Sequence, residues 1–347
     1  MYKDTYLERE CGGSLKKLAI RWGPIDYQYV PLKNDDYKTK RDLLCPVDFG
    51  CYPGSSTMPK ASSPKLASTC WDTRIVRQRL AQAAFQDLIP TAYYSAAVTD
   101  SHYFILYAYY HADDSTHPND LEGCLLILEK NDSRPLLLGM VTVAHYDFVP
   151  FVYKNSMKVK SHPLWQRDFE MEVEEEEEGE HVLIQQEEGK HGLYALGHRK
   201  IGPLERVKRR VLEIIGRSED VIVYYPGEAA NLYTKERLYR GKGTPHNPTF
   251  YYELIDVLDD RHGLWNKYLD AQKSVGNQTF TKEGAFHSEG SLGHANGPWL
   301  WEPGGQLVET ISQGAMWNDP AKLAKHMFEP QGEQFGTNYQ KRMMDKG

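Results

Sequence analysis

Four potential metal ligands lie within a short polar segment of the chain. Residues 111–122, HADDSTHPNDLE, contain Asp114, His117, Asp120 and Glu122. Three crowded carboxylates repel one another and raise their own pKa values unless a cation compensates their charge. Oxygen ligands with a single imidazole suit a hard divalent ion, so we expect Mg²⁺, Ca²⁺ or Mn²⁺, with Zn²⁺ less suited. The alternative interpretation is a solvated polar turn.

Apolar runs on either side of this segment predict two neighbouring strands. HYFILYAYY lies before the segment, and GCLLILEK follows it. Alternate residues of a strand point to the same face, so Asp120 and Glu122, at the start of the second strand, would share one face. Asp114 and His117 would lie just upstream on the connecting loop. The two strands would therefore bring the four side chains together.

Further β-rich runs, separated by polar breaks, predict a mainly β fold. Aromatic residues make up 12% of the chain and include 23 Tyr, which suits strands whose half-buried rings keep a hydroxyl in water. The number of runs predicts a single β-sandwich with a few peripheral helices. The runs are LLLGMVTVAHYDFVPFVY, HVLIQQ, GLYAL, VIVYYPG and FYYELIDV.

Three amphipathic patterns predict the peripheral helices. The first begins at Asp72 and stops before Pro90, and the second covers residues 203–216 and ends with a glycine. The third is NDPAKLAKHMF, in which Asp319 can cap the helix and Pro320 fits its first position.

Composition divides the chain into three parts. Residues 1–70 are rich in Gly, Pro, Ser and Lys and predict an irregular N-terminal segment with few regular elements. Residues 71–330 would form the β-sandwich domain, and residues 331–347 a C-terminal tail. Within the domain, the Glu-rich stretch near 169–180 predicts a solvated insertion loop, because its carboxylates repel one another and cannot fill a core.

Charge and hydropathy argue against several classes of function. The net charge of −7 and pI near 6.0 provide no basic surface for phosphates, which argues against a nucleic-acid partner. No apolar run is long enough for a transmembrane helix. The charged N-terminus favours a cytoplasmic protein, although a mature secreted form would look the same. Five Cys without a C-x-x-C pair indicate neither a zinc ribbon nor a complete disulfide framework. The oligomeric state is left open.

The segment from Tyr107 resembles the signature of the necrosis-inducing, cytolysin-like protein family. Members have a strand of the form Y-S-W-Y-F-P-K-D followed by G-H-R-H-D-W-E, and here the two parts read YAYYHADD and THPNDLE. The family's metal ligands would correspond to Asp114, His117, Asp120 and Glu122, in the order H-x-x-D-x-E. The resemblance implies a single-domain sandwich whose cation coordinates hydroxyls of a glycan or lipid headgroup, with a toxin-like use.

The chain departs from this signature at three positions. The family's second motif His is Asn119, its Trp is Leu121 and its leading Gly is Thr116. Two other segments, HANGPWLWEPGG with DPAKLAKHMF and GKHGLYALGHRK, resemble the vacuolar protein sorting-associated, fungal-type branch of this β-sandwich group. Together the resemblances cover roughly residues 95–328.

Histidine and tryptophan residues elsewhere are further site candidates. His191, His198 and His294 could reach the cation from neighbouring strands as ligands or proton carriers. A structural His is the alternative for each. Trp299 and Trp301, with Asn119 in the motif, are candidate ligand-binding residues, since indole can stack on a sugar ring or enter a membrane interface. Core packing is the alternative for the indoles.

Two classes of function follow from these residues. The preferred one is a metal-dependent recognition module for a glycan or lipid headgroup, because the site is rich in oxygen and has no recognisable nucleophile. The other is a metal-dependent hydrolase or lyase acting on a small polar substrate, in which the cation activates water or polarises a carbonyl and one of the three histidines moves the proton. A purely structural cation is a third interpretation.

Overall fold

The computed structural model describes most of the chain. The described residues are 4–30, 36–47, 77, 80–114, 118–144, 147–160, 170–176, 179–197, 220–227, 233–239, 247–266, 314–330 and 335–344.

Strands dominate these residues. They are β1 Ile25–Tyr29, β2 Thr91–Thr99, β3 His102–Asp113, β4 Pro118–Glu129, β5 Leu136–Ala144, β6 Asp147–Val152, β7 Met157–Val159, β8 Val173–Glu176, β9 Gly179–Gln186, β10 Leu193–Ala195, β11 Val221–Pro226, β12 Thr249–Asp256, β13 Phe328–Pro330 and β14 Tyr339–Lys341. The helices are α1 Thr5–Cys11, α2 Leu15–Arg21, α3 Asp36–Arg41, α4 Lys235–Leu238, α5 Ala315–Asn318 and α6 Pro320–Met327. The mainly β prediction is confirmed.

One large mixed sheet contains most of the strands. Its order is β10-β9-β1-β11-β12-β2-β3-β4-β5-β6, with β14 beside β2 and β8 beside β9, while β7 and β13 form a separate pair. Three pairs, β1 with β9, β11 with β12, and β12 with β2, are parallel. β10 lies against β4 and β5 near the other end of the order, so the sheet curls. The expected single β-sandwich is not confirmed, because parallel pairs between distant segments join the strands into one curled sheet.

The core lies around the middle strands of this sheet. All residues of β2 and β3 are buried, which explains their nearly continuous apolar and aromatic sequences. The fully buried rings of Tyr107 and Tyr109 on β3 and of Tyr252 on β12 are among the largest side chains inside. The Tyr109 and Tyr252 rings meet edge to face with their centroids 6.0 Å apart. The motif strands β3 and β4 therefore start from a rigid, closely packed centre.

The N-terminal part of the chain contains regular structure where few elements are expected. Asp4 accepts a hydrogen bond from Leu7 N and caps α1, and Ser14 accepts one from Lys17 N and caps α2. β1 lies inside the sheet, between β9 and β11. Tertiary pairing thus orders a strand of only five residues that its composition does not predict. The domain boundaries at residues 70 and 330 stay predictions, although β14 lies in the segment expected to be a tail.

Part of the Glu-rich stretch is a strand, not the expected loop. Val173–Glu176 forms β8 and pairs in antiparallel register with residues 179–182 of β9. Backbone hydrogen bonds to a neighbouring strand can hold such a segment while its carboxylates stay in water. Repulsion between the carboxylates therefore does not prevent the backbone of this stretch from pairing as a strand.

The predicted helices have different outcomes. The C-terminal helix is confirmed as α6: Asp319 accepts from Lys322 N, Pro320 is its first residue, and Leu323 is buried. The pattern that starts at Asp72 is helical at residues 77 and 80–82, followed by a 3₁₀ turn at Phe85–Asp87. The pattern at 203–216 lies outside the described residues. No helix in the described part of the chain combines the length and apolar content needed to cross a membrane.

Candidate functional site

The β3–β4 hairpin sets the geometry of the polar motif. Its antiparallel register places His111 opposite Asp120 and Tyr109 opposite Glu122. Residues directly opposite one another in such a pair point to the same face. Asp120 is 5% exposed and Glu122 is 4% exposed. As the alternation predicts, both carboxylates lie on one face of β4, and that face is buried.

His191, in the turn between β9 and β10, joins two carboxylates. Its Nδ1 lies 2.7 Å from Asp120 Oδ2, and its Nε2 lies 3.1 Å from Asp42 Oδ1. Each ring nitrogen must carry a proton to donate to a carboxylate, so the ring is an imidazolium. Burial lowers the pKa of His191, but the hydrogen bonds to Asp120 and Asp42 outweigh burial and raise the pKa to about 9. The site therefore contains a buried cation from the protein itself.

Asp42 is held by three further contacts. Arg41 donates to it through two nitrogens, Nε to Oδ1 at 2.8 Å and Nη2 to Oδ2 at 3.2 Å. Gly189 N also donates to Oδ1 at 3.2 Å. A Cβ at Gly189 would lie 2.6 Å from the Arg41 Nη2 atom, and the glycine has a φ of +74°, so the turn requires glycine there. His191 itself has a φ of 54°. Positive and negative side chains therefore alternate in one buried series of contacts, which runs from Arg41 through Asp42 and His191 to Asp120.

His111 stacks on His191 inside the sheet. The two ring centroids are 3.7 Å apart and the planes differ by 10°. Burial first, and the charge of His191 next, lower the pKa of His111 well below its usual value. The neutral ring donates from Nε2 to Gln186 Oε1 at 3.2 Å. One histidine of the stacked pair is thus charged and the other neutral.

A second set of contacts fixes the end of β3. The Tyr37 hydroxyl donates to Asp113 Oδ2, and Arg77 Nε donates to the same oxygen at 3.0 Å. Arg77 Nη2 also donates to the backbone oxygen of Asp114 at 3.2 Å. Burial raises the pKa of Asp113 to about 6, against the opposing effects of Tyr37 and Arg77. The residue before the first predicted ligand is therefore anchored by two side chains.

Asp26 on β1 is a buried carboxylate of a different kind. It is fully buried, and neither carboxylate oxygen has a hydrogen-bond partner among the described residues. Burial raises its pKa well above the usual value, while the charge of His191 acts in the opposite direction. The protonated form is therefore favoured in the folded protein.

The structure brings some of the predicted site residues together. Asp114, Asp120 and Glu122 are all buried near the hairpin, and His191 bonds Asp120 directly. Asn119 belongs to β4 by its backbone. The remaining predicted site residues, His117, His198, His294, Trp299 and Trp301, lie outside the described residues.

Metal ligation stays a prediction. Within the described residues, which do not include His117, no group of three or more His, Cys, Asp or Glu is arranged to hold an ion. Arg41, Arg77 and His191 supply positive charge among the carboxylates. The prediction of a metal ion from carboxylate repulsion did not take these three protein cations into account.

The N-terminal segment supplies partners of the site residues that could not be recognised from the sequence. Tyr37, Arg41 and Asp42 precede Asp114 by more than 70 residues and form no recognisable pattern with the motif. The one available signal was the KHG sequence around His191, with glycines at 189 and 192 that allow a tight turn. Long-range contacts of this kind depend on the pairing of β1 and β9, which no local pattern specifies.

The chain is similar to solved β-rich proteins of the toxin-fold class. No protein-family profile matches it, and no curated protein is significantly similar. A structure described as a toxin fold that is the basis for microbial attack and plant defense shares 14% identity, over 81% of this chain and 84% of its own, with a TM-score of 0.29. NLPPya in complex with glucosamine shares 15% identity over 78% and 88%, with a TM-score of 0.27.

A third similar structure belongs to the same class. Necrosis and Ethylene inducing Protein 2 from the causal agent of cocoa's Witches Broom disease shares 16% identity over 48% of this chain and 70% of its own, with a TM-score of 0.21. The resemblance to the vacuolar protein sorting-associated branch has no support among these structures.

Proposed function

We propose that this chain is a divalent-cation-dependent recognition module whose ligand is a glycan or a lipid headgroup. The supporting observation is the β3–β4 hairpin, which holds Asp120 and Glu122 on one buried strand face. Buried carboxylates on one face favour a compensating cation. A cation with oxygen ligands can also bind the hydroxyl oxygens of a sugar or headgroup. The toxin-like use that the family resemblance implies belongs to the same proposal.

In this proposal Asp114, His117, Asp120 and Glu122 hold the cation. Carboxylate ligands in general suit Mg²⁺, Ca²⁺ or Mn²⁺ better than Zn²⁺, because hard ions prefer oxygen. When bound, the cation supplies a Lewis acid for hydroxyl groups. His191 donates to Asp120 and so orients that carboxylate.

The bound ligand would also contact side chains outside the metal set. Asn119 can donate and accept hydrogen bonds through its amide. Trp299 and Trp301 can stack on a sugar ring through the faces of their indoles. These three residues are the proposed ligand contacts.

A metal-dependent hydrolase or lyase acting on a small polar substrate is the second candidate. The close contact between His191 and Asp120 favours it, because histidine is the usual proton carrier. A general base, however, needs a ring nitrogen that can accept a proton. Both nitrogens of His191 face carboxylates and carry protons, so recognition is the better supported function. His198 and His294 are the other proposed proton carriers of the enzyme hypothesis.

Ligand binding with and without a chelator tests the proposal. We expect glycan-array or lipid-overlay binding by the purified protein to disappear in EDTA and to return when Mg²⁺, Ca²⁺ or Mn²⁺ is added. Glu122→Gln should lose binding, whereas Glu253→Gln, an exposed glutamate on β12 of the same sheet, should retain it. Binding that is indifferent to the chelator would contradict the proposal. Substrate turnover abolished by Asp120→Asn in a folded protein would favour the enzyme.

Metal addition should also stabilise the protein. At a free ion concentration about a hundredfold above the dissociation constant, linkage adds roughly 2.7 kcal/mol to the free energy of unfolding. Glu122→Gln should lose most of this gain, and Glu253→Gln should keep it. Thermal melting with each ion measures the effect. Equal responses from wild type and Glu122→Gln would remove Glu122 from the site.

A further inference from the structure

Strand β1 has a polar face and an apolar face, and the polar face points into the main core. Asp26 lies opposite Tyr224 of β11 and Ile184 of β9. Both neighbours belong to the large hydrophobic core, and residues directly opposite one another in a sheet share a face. Ile25, on the other face, packs in a small separate cluster. Because alternate residues of a strand share a face, Gln28 points into the core beside Asp26.

Three polar groups on this inner face lack hydrogen-bond partners among the described residues. They are the two carboxylate oxygens of Asp26, Oε1 of Gln28 and Nε2 of Gln186. All three residues are fully buried. Gln28 and Gln186 are direct neighbours in the parallel pair of β1 and β9, so their side chains lie side by side. The inner face therefore places unpartnered acceptors next to an unpartnered donor.

The other atoms of the two amides already have partners. Gln28 Nε2 donates to the backbone oxygens of Tyr29 at 3.0 Å and Glu187 at 3.3 Å. Gln186 Oε1 accepts from His111 Nε2 at 3.2 Å. These bonds use the Gln28 nitrogen and the Gln186 oxygen, and they leave the Gln28 oxygen and the Gln186 nitrogen for a further molecule.

We propose that Asp26, Gln28 and Gln186 form an internal site for a water molecule inside the curled sheet. A buried polar group without a partner has lost its hydration and gained nothing in return, so an internal water commonly bridges such groups. The water donates to Gln28 Oε1 and to a carboxyl oxygen of Asp26, and it accepts from Gln186 Nε2. About three hydrogen bonds are typical of a buried water. The site is independent of the proposed divalent cation.

The water connects β1 to the motif hairpin. Gln186 is bonded to His111, and the ring of His111 stacks on His191, which donates to Asp120. With the water in place, a continuous series of polar contacts runs from Asp26 across the inside of the sheet to the start of β4. The polar inner face of β1 is therefore part of the surroundings of the motif.

Nuclear Overhauser effects between water and the side-chain amide of Gln186 test the site in the absence of divalent ions. A long-lived internal water gives cross-relaxation rates of opposite sign in the laboratory and rotating frames. We expect this signature at the Gln186 amide protons of the wild-type chain. Asp26→Asn should keep it, because the amide can still bind water, and Asp26→Leu should lose it.

Gln185→Leu is the matched control. Gln185 is the neighbouring glutamine on the opposite face of β9, it is also buried, and its Nε2 donates to the backbone oxygen of Ala195 at 3.3 Å. This variant should keep the Gln186 signature. Oxygen-17 relaxation dispersion, which detects water and not exchanging hydroxyl protons, should have a smaller amplitude in Asp26→Leu than in wild type and an unchanged amplitude in Gln185→Leu.

Several results would overturn the inference. One is a wild-type chain without the signature at Gln186, and another is a folded Asp26→Leu whose oxygen-17 amplitude equals that of wild type. If Asp26→Leu does not fold, Gln28→Leu is the second variant, and it should also reduce that amplitude. A Gln186 signal that changes with Na⁺ or K⁺ at constant ionic strength would assign the site to a monovalent cation instead of water.

Discussion

Asp26 and Asp42 are two buried aspartates. Because their surroundings differ, replacement by asparagine should have opposite effects on stability at the two positions. Asp42 accepts hydrogen bonds from Arg41, His191 and Gly189. In the described part of the chain, Asp26 has no hydrogen-bond partner on either oxygen. A buried charge is tolerated when it is compensated, and an uncompensated carboxyl keeps its proton instead. The same Asp to Asn substitution therefore tests two different physical situations.

Asp42→Asn should destabilise the protein. The amide leaves the buried imidazolium of His191 and the guanidinium of Arg41 without their negative partner. Breaking a buried ion pair by removing one member costs about 3–5 kcal/mol. Chemical denaturation at neutral pH measures the loss. A cost below 1 kcal/mol would show that the pairs are exposed to water in solution.

Asp26→Asn should leave stability unchanged near pH 4 and raise it at higher pH. In the unfolded chain the carboxyl ionises near pH 3.9, whereas burial raises its pKa in the folded state. The folded wild type then binds more protons than the unfolded chain above pH 4, so its stability falls as pH rises. Asparagine keeps the shape of the side chain and has no charge. Melting temperatures of both proteins from pH 4 to 8 should diverge with pH, and parallel curves would contradict this expectation.

His102 should make the protein sensitive to acid. Its ring packs against Phe104 and Phe335, with centroids 5.9 and 5.4 Å away. Burial lowers the pKa of His102 to about 4, with Asp100 opposing and Lys130 assisting the shift. The unfolded chain takes up a proton near pH 6.5, so this contribution to stability is present above pH 6.5 and is lost as pH falls toward 4.

Replacing His102 with glutamine tests that contribution. The difference between the unfolded-state pKa of 6.5 and the folded-state pKa of about 4 corresponds to about 3 kcal/mol of pH-dependent stability. We expect the change in unfolding free energy between pH 6.5 and 4 to be smaller in His102→Gln than in wild type by roughly this amount. Identical slopes would assign the acid sensitivity to other groups.

At the scale of elements, the turn between β9 and β10 depends on Gly189. Both Gly189 and Gly197 have positive φ values, +74° and +82°. A Cβ at Gly189 would clash with Arg41, whereas a Cβ at Gly197 would meet no atom of a described residue within 4 Å. Gly197→Ala should therefore cost only the backbone strain, about 1–2 kcal/mol. Gly189→Ala should cost clearly more, because it also displaces the guanidinium from Asp42. Equal losses in denaturant unfolding would show that Arg41 moves aside freely.

The β3–β4 hairpin shows how far a local pattern determines an element. Two apolar runs of nearly continuous hydrophobicity predicted its strands, and the period of two placed Asp120 and Glu122 on one face. The Glu-rich stretch is the opposite case, since composition predicted a loop and pairing with β9 made part of it a strand. Backbone hydrogen bonds supplied by a partner can override local preference.

At the scale of the whole molecule, the arrangement of the strands could not be predicted from the sequence. The β content follows from the apolar runs, but β1 pairs with strands more than 150 residues away. No periodicity encodes which distant strand becomes the neighbour. The same limit applies to the site, where the motif residues were found locally and their partners Arg41 and Asp42 were not. Local sequence patterns determine which face of a strand a residue occupies and where the strand ends. Tertiary pairing determines which strands become neighbours in the sheet.

The position of β1 in the middle of the sheet has a consequence for synthesis of the chain. Residues 25–29 are synthesised before their partners in β9 and β11, which lie at residues 183–186 and 221–224. At translation rates of about 5–20 residues per second, roughly 10–40 seconds pass between the synthesis of β1 and the synthesis of its second partner strand, β11. Its pairing has a high contact order, which slows folding. A nascent chain that has not yet reached residue 221 should therefore present β1 with an open edge, which can pair with another chain.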